Sequence, residues 1–166
     1  MMADVSKCLL TEGFNHALSP DSVVIVGDSF IIAKEYDTAS EFLAPERKEG
    51  QIYDEKETVW SLGAVAYYAA TGHLVFGGYG SSYQKEHPSV PLPVLPKGMQ
   101  ALTPVLQKCL CYSPDGRIGL EELNGMASRG QRECSKQTRK KANLTEGKEK
   151  QVTYSGEKWP EEMTEV

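Results

Sequence analysis

The chain reads as a mainly α-helical domain that carries one small β-hairpin, and three stretches predict this. Over 58–70, Trp60, Leu62, Val65, Ala66, Tyr67, Ala69 and Ala70 spread around the whole circumference of a helix, the pattern of a helix buried on all sides. Over 99–111, Met99, Leu102, Val105, Leu106, Cys109 and Leu110 fall on one stripe, as in a helix with a single core-facing side. Between 23 and 33, two β-branched runs, Val23-Val24-Ile25-Val26 and Phe30-Ile31-Ile32, flank Gly27-Asp28-Ser29. Two short strands around a Gly-Asp turn satisfy that pattern.

The other elements follow in order. A helix over 3–12 places Val5, Leu9 and Cys8 toward one face, and Gly13 stops it. Residues 34–54 are charged and loop-like. Residues 71–98 are rich in Gly, Ser and Pro and predict loop with room for one short helix. Ser113-Pro114-Asp115-Gly116 is a turn, and Gly119-Leu120-Glu121-Glu122-Leu123 opens a short last helix. Beyond Met126 the apolar pattern stops. Lys, Glu, Gln, Thr and Gly dominate 127–158, a composition with too little apolar surface to offset the entropy of ordering. The predicted organisation is therefore a domain over 1–126 and a disordered charged tail over 127–166. The charge divides at the same place. Residues 1–126 hold 16 acidic and 9 basic side chains, a balance of −7, whereas 127–166 hold 7 acidic and 9 basic, a balance of +2.

Composition narrows the function classes. The 166 residues are 40% apolar, enough for one core. No run of about 18 apolar residues occurs, so a membrane-spanning helix is not expected. Met1–Leu10 has no cationic region followed by a long apolar one, which predicts no signal peptide. Cys8, Cys109, Cys111 and Cys134 form no C-x-x-C and have no paired histidines. Free thiols in a reducing cytoplasmic compartment, with no metal and no cofactor, are the expectation.

Three motifs stand in a row. Ala44-Pro45-Glu46 lies in Glu41–Glu46, Trp60-Ser61-Leu62-Gly63 follows in the buried helix, and Thr71-Gly72-His73-Leu74-Val75-Phe76 comes after it. These resemble, in order and spacing, the A-P-E box, the D-x-W-S-L-G start of the central helix and the T-G-x-x-P-F turn of the protein-kinase C-lobe. Ser19-Pro20-Asp21-Ser22-Val23-Val24-Ile25 resembles the kinase catalytic loop entering its strand. The resemblance runs from about Gly13 to Leu123 and implies a C-lobe-like fold.

In that register the catalytic residues are missing. Ala17 stands where the catalytic aspartate belongs, Ser22 where the metal-binding asparagine belongs, and Ala33 falls in the place of D-F-G. Phosphoryl transfer needs an aspartate to orient the hydroxyl and oxygens to hold magnesium. No G-x-G-x-x-G loop and no V-A-I-K lysine occur either. The resemblance thus implies a pseudokinase C-lobe without an N-lobe, not an enzyme. What it retains is scaffold: a Glu46–Arg117 ion pair, Trp60 and Gly63. Thr58 replaces an aspartate that braces the kinase catalytic loop, and a chain without that loop is expected to have nothing there to brace.

The nearest design among kinase relatives is the kinase non-catalytic C-lobe, or KIND, domain, a protein-binding module. In actin-nucleating proteins it captures a basic peptide from formins. The short opening helix and the retained Trp60 depart from that type, so the formin partner is not carried over. The implied function is non-catalytic protein binding in signalling or cytoskeletal regulation, with a basic peptide as the kind of partner the acidic domain attracts. By analogy, loops 34–54 and 77–98 would line a groove. Two alternatives stay open: a truncated kinase-like product without independent function, and weak nucleotide binding or kinase activity completed by a partner.

Two signals lie in the tail. Thr164-Glu165-Val166 suits capture of a free carboxylate by a PDZ domain, with Thr164 and Val166 as the read positions. Arg129, Arg132, Lys136 and Arg139-Lys140-Lys141 form a basic cluster. It reads first as a solvated linker, with nuclear import, salt-sensitive nucleic-acid contact and folding back onto the acidic domain as alternatives. Aromatic side chains stand too far from it to favour base stacking, so nucleic acid is not the expected partner.

Overall fold

A computed structural model of the chain describes residues 1–13, 16–27, 29–33 and 39–149; the side chains of 134, 137 and 140–149 fall outside that description. The chain divides into two compact units, Met1–Gln131 and a second from Arg132 onward. The first unit is mainly helical with one two-stranded antiparallel hairpin.

Helix α1 (Met2–Glu12) buries Met2, Val5 and Leu9. Gly13 ends it at φ 61°, donating its N–H back to Leu9 O, a left-handed closure that glycine adopts without a Cβ penalty. Strands β1 (Val23–Val26) and β2 (Ser29–Ile32) pair with Val23 opposite Ile32 and Val26 opposite Ser29. Val23, Phe30 and Ile32 turn toward the core. Val24, Ile25, Val26 and Ile31 remain exposed. Asp28 of the expected turn lies outside the described residues, as do 34–38.

Helix α2 (Glu55–Thr71) is the post around which the unit is built. Asp54 caps it: its carboxylate accepts from Glu57 N at 2.8 Å, and the Glu57 carboxylate accepts from Asp54 N at 3.0 Å. This reciprocal box satisfies two donors that a helix start leaves without partners. Val59, Trp60, Leu62, Ala64, Val65, Ala66 and Tyr67 are all buried, so the helix has core on every side over this stretch. Helix α3 (Ser81–Glu86) is the one short helix of the 71–98 region.

The 99–111 segment differs from the single helix expected. Gln100–Leu102 forms a 3₁₀ turn, and helix α4 covers Thr103–Cys109. Pro104 sits in the first turn, where a missing N–H costs nothing, so the α-helix begins beside it rather than running through it. Leu106, Cys109 and Leu110 are buried, but Met99 precedes the helix and is 38% exposed.

Helix α5 (Leu120–Glu149) is longer than the short last helix expected and extends over 127–149. The missing apolar face argued against burial, but it says nothing against helicity. Residues 127–149 contain no proline and are rich in Ala, Arg, Gln, Glu and Lys, all good helix formers. The remaining tail expectation, with Thr164 and Val166, lies outside the described residues. Among the described residues no helix is long and apolar enough to cross a membrane.

Candidate functional site

The segment that carries Ala17 and Ser22 is clamped to the first turns of α2. His16 N donates to Thr58 Oγ1 at 3.0 Å, and Leu18 N donates to Ser61 Oγ at 3.0 Å. Each hydroxyl also donates within its own helix, Thr58 to Asp54 O at 3.0 Å and Ser61 to Thr58 O at 2.9 Å. Proton and lone pair are thus both engaged. The sequence predicts nothing for Thr58 to brace; the structure corrects this, because Thr58 holds the His16 backbone. A hydroxyl accepts an amide hydrogen bond as a carboxylate does, without the charge.

The three positions expected to be degenerate come together around that loop. The Ala17 methyl is buried. The Ser22 hydroxyl donates to Ser19 O at 2.7 Å and accepts from Ser19 N at 3.0 Å, so it closes its own 3₁₀ turn (Pro20–Ser22), and the residue is fully buried. Ala33 N donates to Ser22 O at 2.8 Å, which ties the hairpin's end to the same turn. None of the three side chains is a carboxylate or amide that could hold a cation. Among the described residues, no group of three His, Cys, Asp or Glu side chains is arranged to hold a metal ion.

Beside the loop lies a cluster the sequence did not disclose. The His16 and Tyr53 rings stack with centroids 4.7 Å apart. The Arg47 guanidinium lies 3.6 Å from the Tyr53 ring centroid and pairs with Glu57 at 3.2 Å. Glu57 is legible as the third residue of the capping box. The contacts of Arg47 and Tyr53 are not, because no local period links them to His16.

Arg117 is the most heavily engaged side chain. Its Nε donates to Cys111 O at 2.7 Å, Nη1 to Lys56 O at 3.1 Å and to Glu46 Oε1, and Nη2 to Glu46 Oε2 at 2.7 Å and Tyr112 O at 2.8 Å. All five guanidinium hydrogens have acceptors. The Arg117 side chain is fully buried, and that of Glu46 is 26% exposed. Trp60 Nε1 donates to Gln84 Oε1 at 3.0 Å, and Gln84 Nε2 donates to Leu110 O at 2.7 Å. That bridge joins α2, α3 and the end of α4. Gly63 permits the close approach of α2 to α4: a Cβ there would lie 2.6 Å from Cys109 Cβ. Burial pushes the Cys109 thiol up to about 12, with the Arg117 charge pulling the other way.

The basic cluster lies on α5. Arg132, Lys136 and Arg139 recur three or four residues apart, and all three are exposed.

No family model matches the chain. A mitogen-activated protein kinase kinase of Pyricularia oryzae is 33% identical over 107 residues, covering 55% of this chain. The chain spans about a quarter of that relative, 26% of its length. That similarity marks the chain as distantly kinase-like.

Proposed function

We propose that the chain is a non-catalytic protein-binding module derived from a protein-kinase C-lobe. It is a pseudokinase of KIND-like design that works in signalling or cytoskeletal regulation. The observation that carries this reading is the Ser22 hydroxyl, turned inward to close its own turn, with Ala17 in the same loop and Ala33 at the adjoining hairpin end offering only methyls. A phosphoryl-transfer loop is held by the scaffold for the sake of an aspartate and metal-binding oxygens. Here the scaffold contacts remain, through Thr58, Ser61 and the Glu46–Arg117 pair, while the groups they would position are absent. A fold kept without its chemistry is suited to binding. The excess of carboxylates over 1–126 favours a basic peptide as the partner.

The test has two arms. Magnesium-ATP should leave the melting temperature unchanged, and the chain should transfer no phosphate to a generic basic protein substrate. Affinity capture with the full chain, followed by reconstitution with the purified partner, should yield a binary complex that survives moderate salt. Phosphate transfer that is lost on substitution of a residue in the His16–Ser22 loop would refute the reading.

A second reading draws on the hairpin. Val24, Ile25, Val26 and Ile31 are 40%, 67%, 55% and 43% exposed, an apolar surface of the kind that another domain or chain covers. In this reading the chain is an incomplete kinase-like product. Its activity, if any, is completed by a partner over that surface, and it is poorly soluble alone.

A further inference from the structure

The segment Pro88–Gly98 carries four of the chain's nine prolines, at 88, 91, 93 and 96, and it belongs to no helix or strand from Val90 to Pro96. It is fastened at both ends by turns, Val90 N donating to His87 O at 3.0 Å and Met99 N to Pro96 O at 3.1 Å. Between them, the N–H groups of Leu92, Val94 and Leu95 make no backbone hydrogen bond among the described residues. Proline supplies no N–H and favours the polyproline II helix, which has three residues per turn and no internal hydrogen bonds.

Exposure along the strap follows that period of three. Leu95 is 3% exposed and Leu92 is half-buried against the core, so the ridge through 92 and 95 anchors the strap. The ridge through 91, 94 and 97 is presented to solvent: Pro91 and Lys97 are exposed, and Val94 is 92% exposed. The ridge through 90, 93 and 96 is presented only at its end: Val90 packs against the core, Pro93 is half-buried and Pro96 is exposed. Segments of the P-x-x-P kind dock aromatic-lined grooves, and Pro93 and Pro96 stand at that spacing.

We propose that Pro91–Lys97 is a docking motif for a domain with an aromatic-lined proline-binding groove of the SH3 kind. Pro93, Val94 and Pro96 fill the groove, and Lys97 meets a carboxylate at its end. Fastening both ends of the strap lowers the ordering cost that a free proline-rich peptide would meet on binding. Lys97 makes no ion pair among the described residues, so its charge is available to a partner. This inference goes beyond the pseudokinase reading and does not depend on it.

The experiment titrates a panel of purified SH3 domains against the full chain and against three variants, Pro96→Ala, Val94→Asp and Lys97→Glu. These three side chains are exposed, so the variants should melt with the parent. At least one domain should bind the parent in the micromolar range, and each substitution should weaken that binding at least about tenfold. Either of two results overturns the proposal: no domain of the panel binds the folded chain, or the domains that bind ignore all three substitutions while the melting temperature is unchanged. Phosphoryl transfer by the chain would sink the non-catalytic reading and leave this one standing.

Discussion

Arg117→Ala should be the most damaging single substitution at a polar residue. The guanidinium is fully buried and donates five hydrogen bonds, two to Glu46 and one each to the carbonyls of Cys111, Lys56 and Tyr112. Removing it leaves a carboxylate and three carbonyl oxygens facing a cavity. Breaking a buried pair from one side costs about 3–5 kcal/mol. For a chain of this size each kcal/mol moves the melting temperature by about 2–4 °C, so the expected drop is roughly 6–20 °C. Arg117→Lys keeps the charge but loses the planar fork, and should fall between the parent and the alanine variant. Far-ultraviolet circular dichroism during heating reads the effect. Repeating the scan at high salt separates it from surface electrostatics, because a buried pair is little screened. Lys108–Glu122, at 2.9 Å with side chains 50% and 60% exposed, is the internal control; Lys108→Ala should cost no more than about 1 kcal/mol. A melting temperature for Arg117→Ala within about 2 °C of the parent would refute the reasoning, since that corresponds to no more than about 1 kcal/mol.

Two further predictions concern the junction of α2 and α4. Gly63→Ala places a methyl 2.6 Å from Cys109 Cβ and 3.3 Å from Leu110, so it should destabilise by about 1–3 kcal/mol through overpacking; a denaturant midpoint equal to the parent's would contradict the close approach. Cys109, with its thiol pushed from 9.0 up to about 12 by burial, keeps its proton in the native state when the unfolded chain has lost it. Below pH 9 both states hold that proton and the group adds no pH dependence. Between pH 9 and 12 stability falls, at most by about 1.4 kcal/mol per unit for this group. Cys109→Ala should flatten the alkaline limb of a stability–pH curve, and an unchanged slope would assign that limb to other groups.

The parts of the fold that could be read from sequence are those where side-chain pattern and burial report the same thing. Helix α2 is apolar around its circumference and opens on Asp54-Glu55-Lys56-Glu57, so both its burial and its start are written locally. The hairpin is legible from β-branched runs on either side of Gly27. The end of α5 is not, because an apolar pattern measures what a helix packs against; residues 127–149 lack an apolar pattern in the sequence yet contain no proline to stop the helix. Met99 was placed on the α4 stripe by spacing alone, and Pro104 moves the helix start past it. At the site, Glu46 and Arg117 lie 71 positions apart, and only motif likeness connected them. The bracing role of Thr58 is not legible because its partner, the His16 amide, lies 42 positions away in the chain. The stacking of His16 on Tyr53 depends on two loops meeting, which no period in either segment foretells.

The hydroxyl clamp of Thr58 and Ser61 has a consequence for the conditions under which the loop keeps its shape. A carboxylate in the place of Thr58 would carry a titration and a counter-charge requirement into the centre of the unit, and the loop's geometry would then vary with acidity and ionic strength. Two alcohols do neither, since they hold no charge at any pH a cell maintains. The clamp on the His16 and Leu18 backbone therefore adds no titrating group of its own. The hydrogen bonds that hold this backbone thus keep the same donors and acceptors in acidic and neutral surroundings alike.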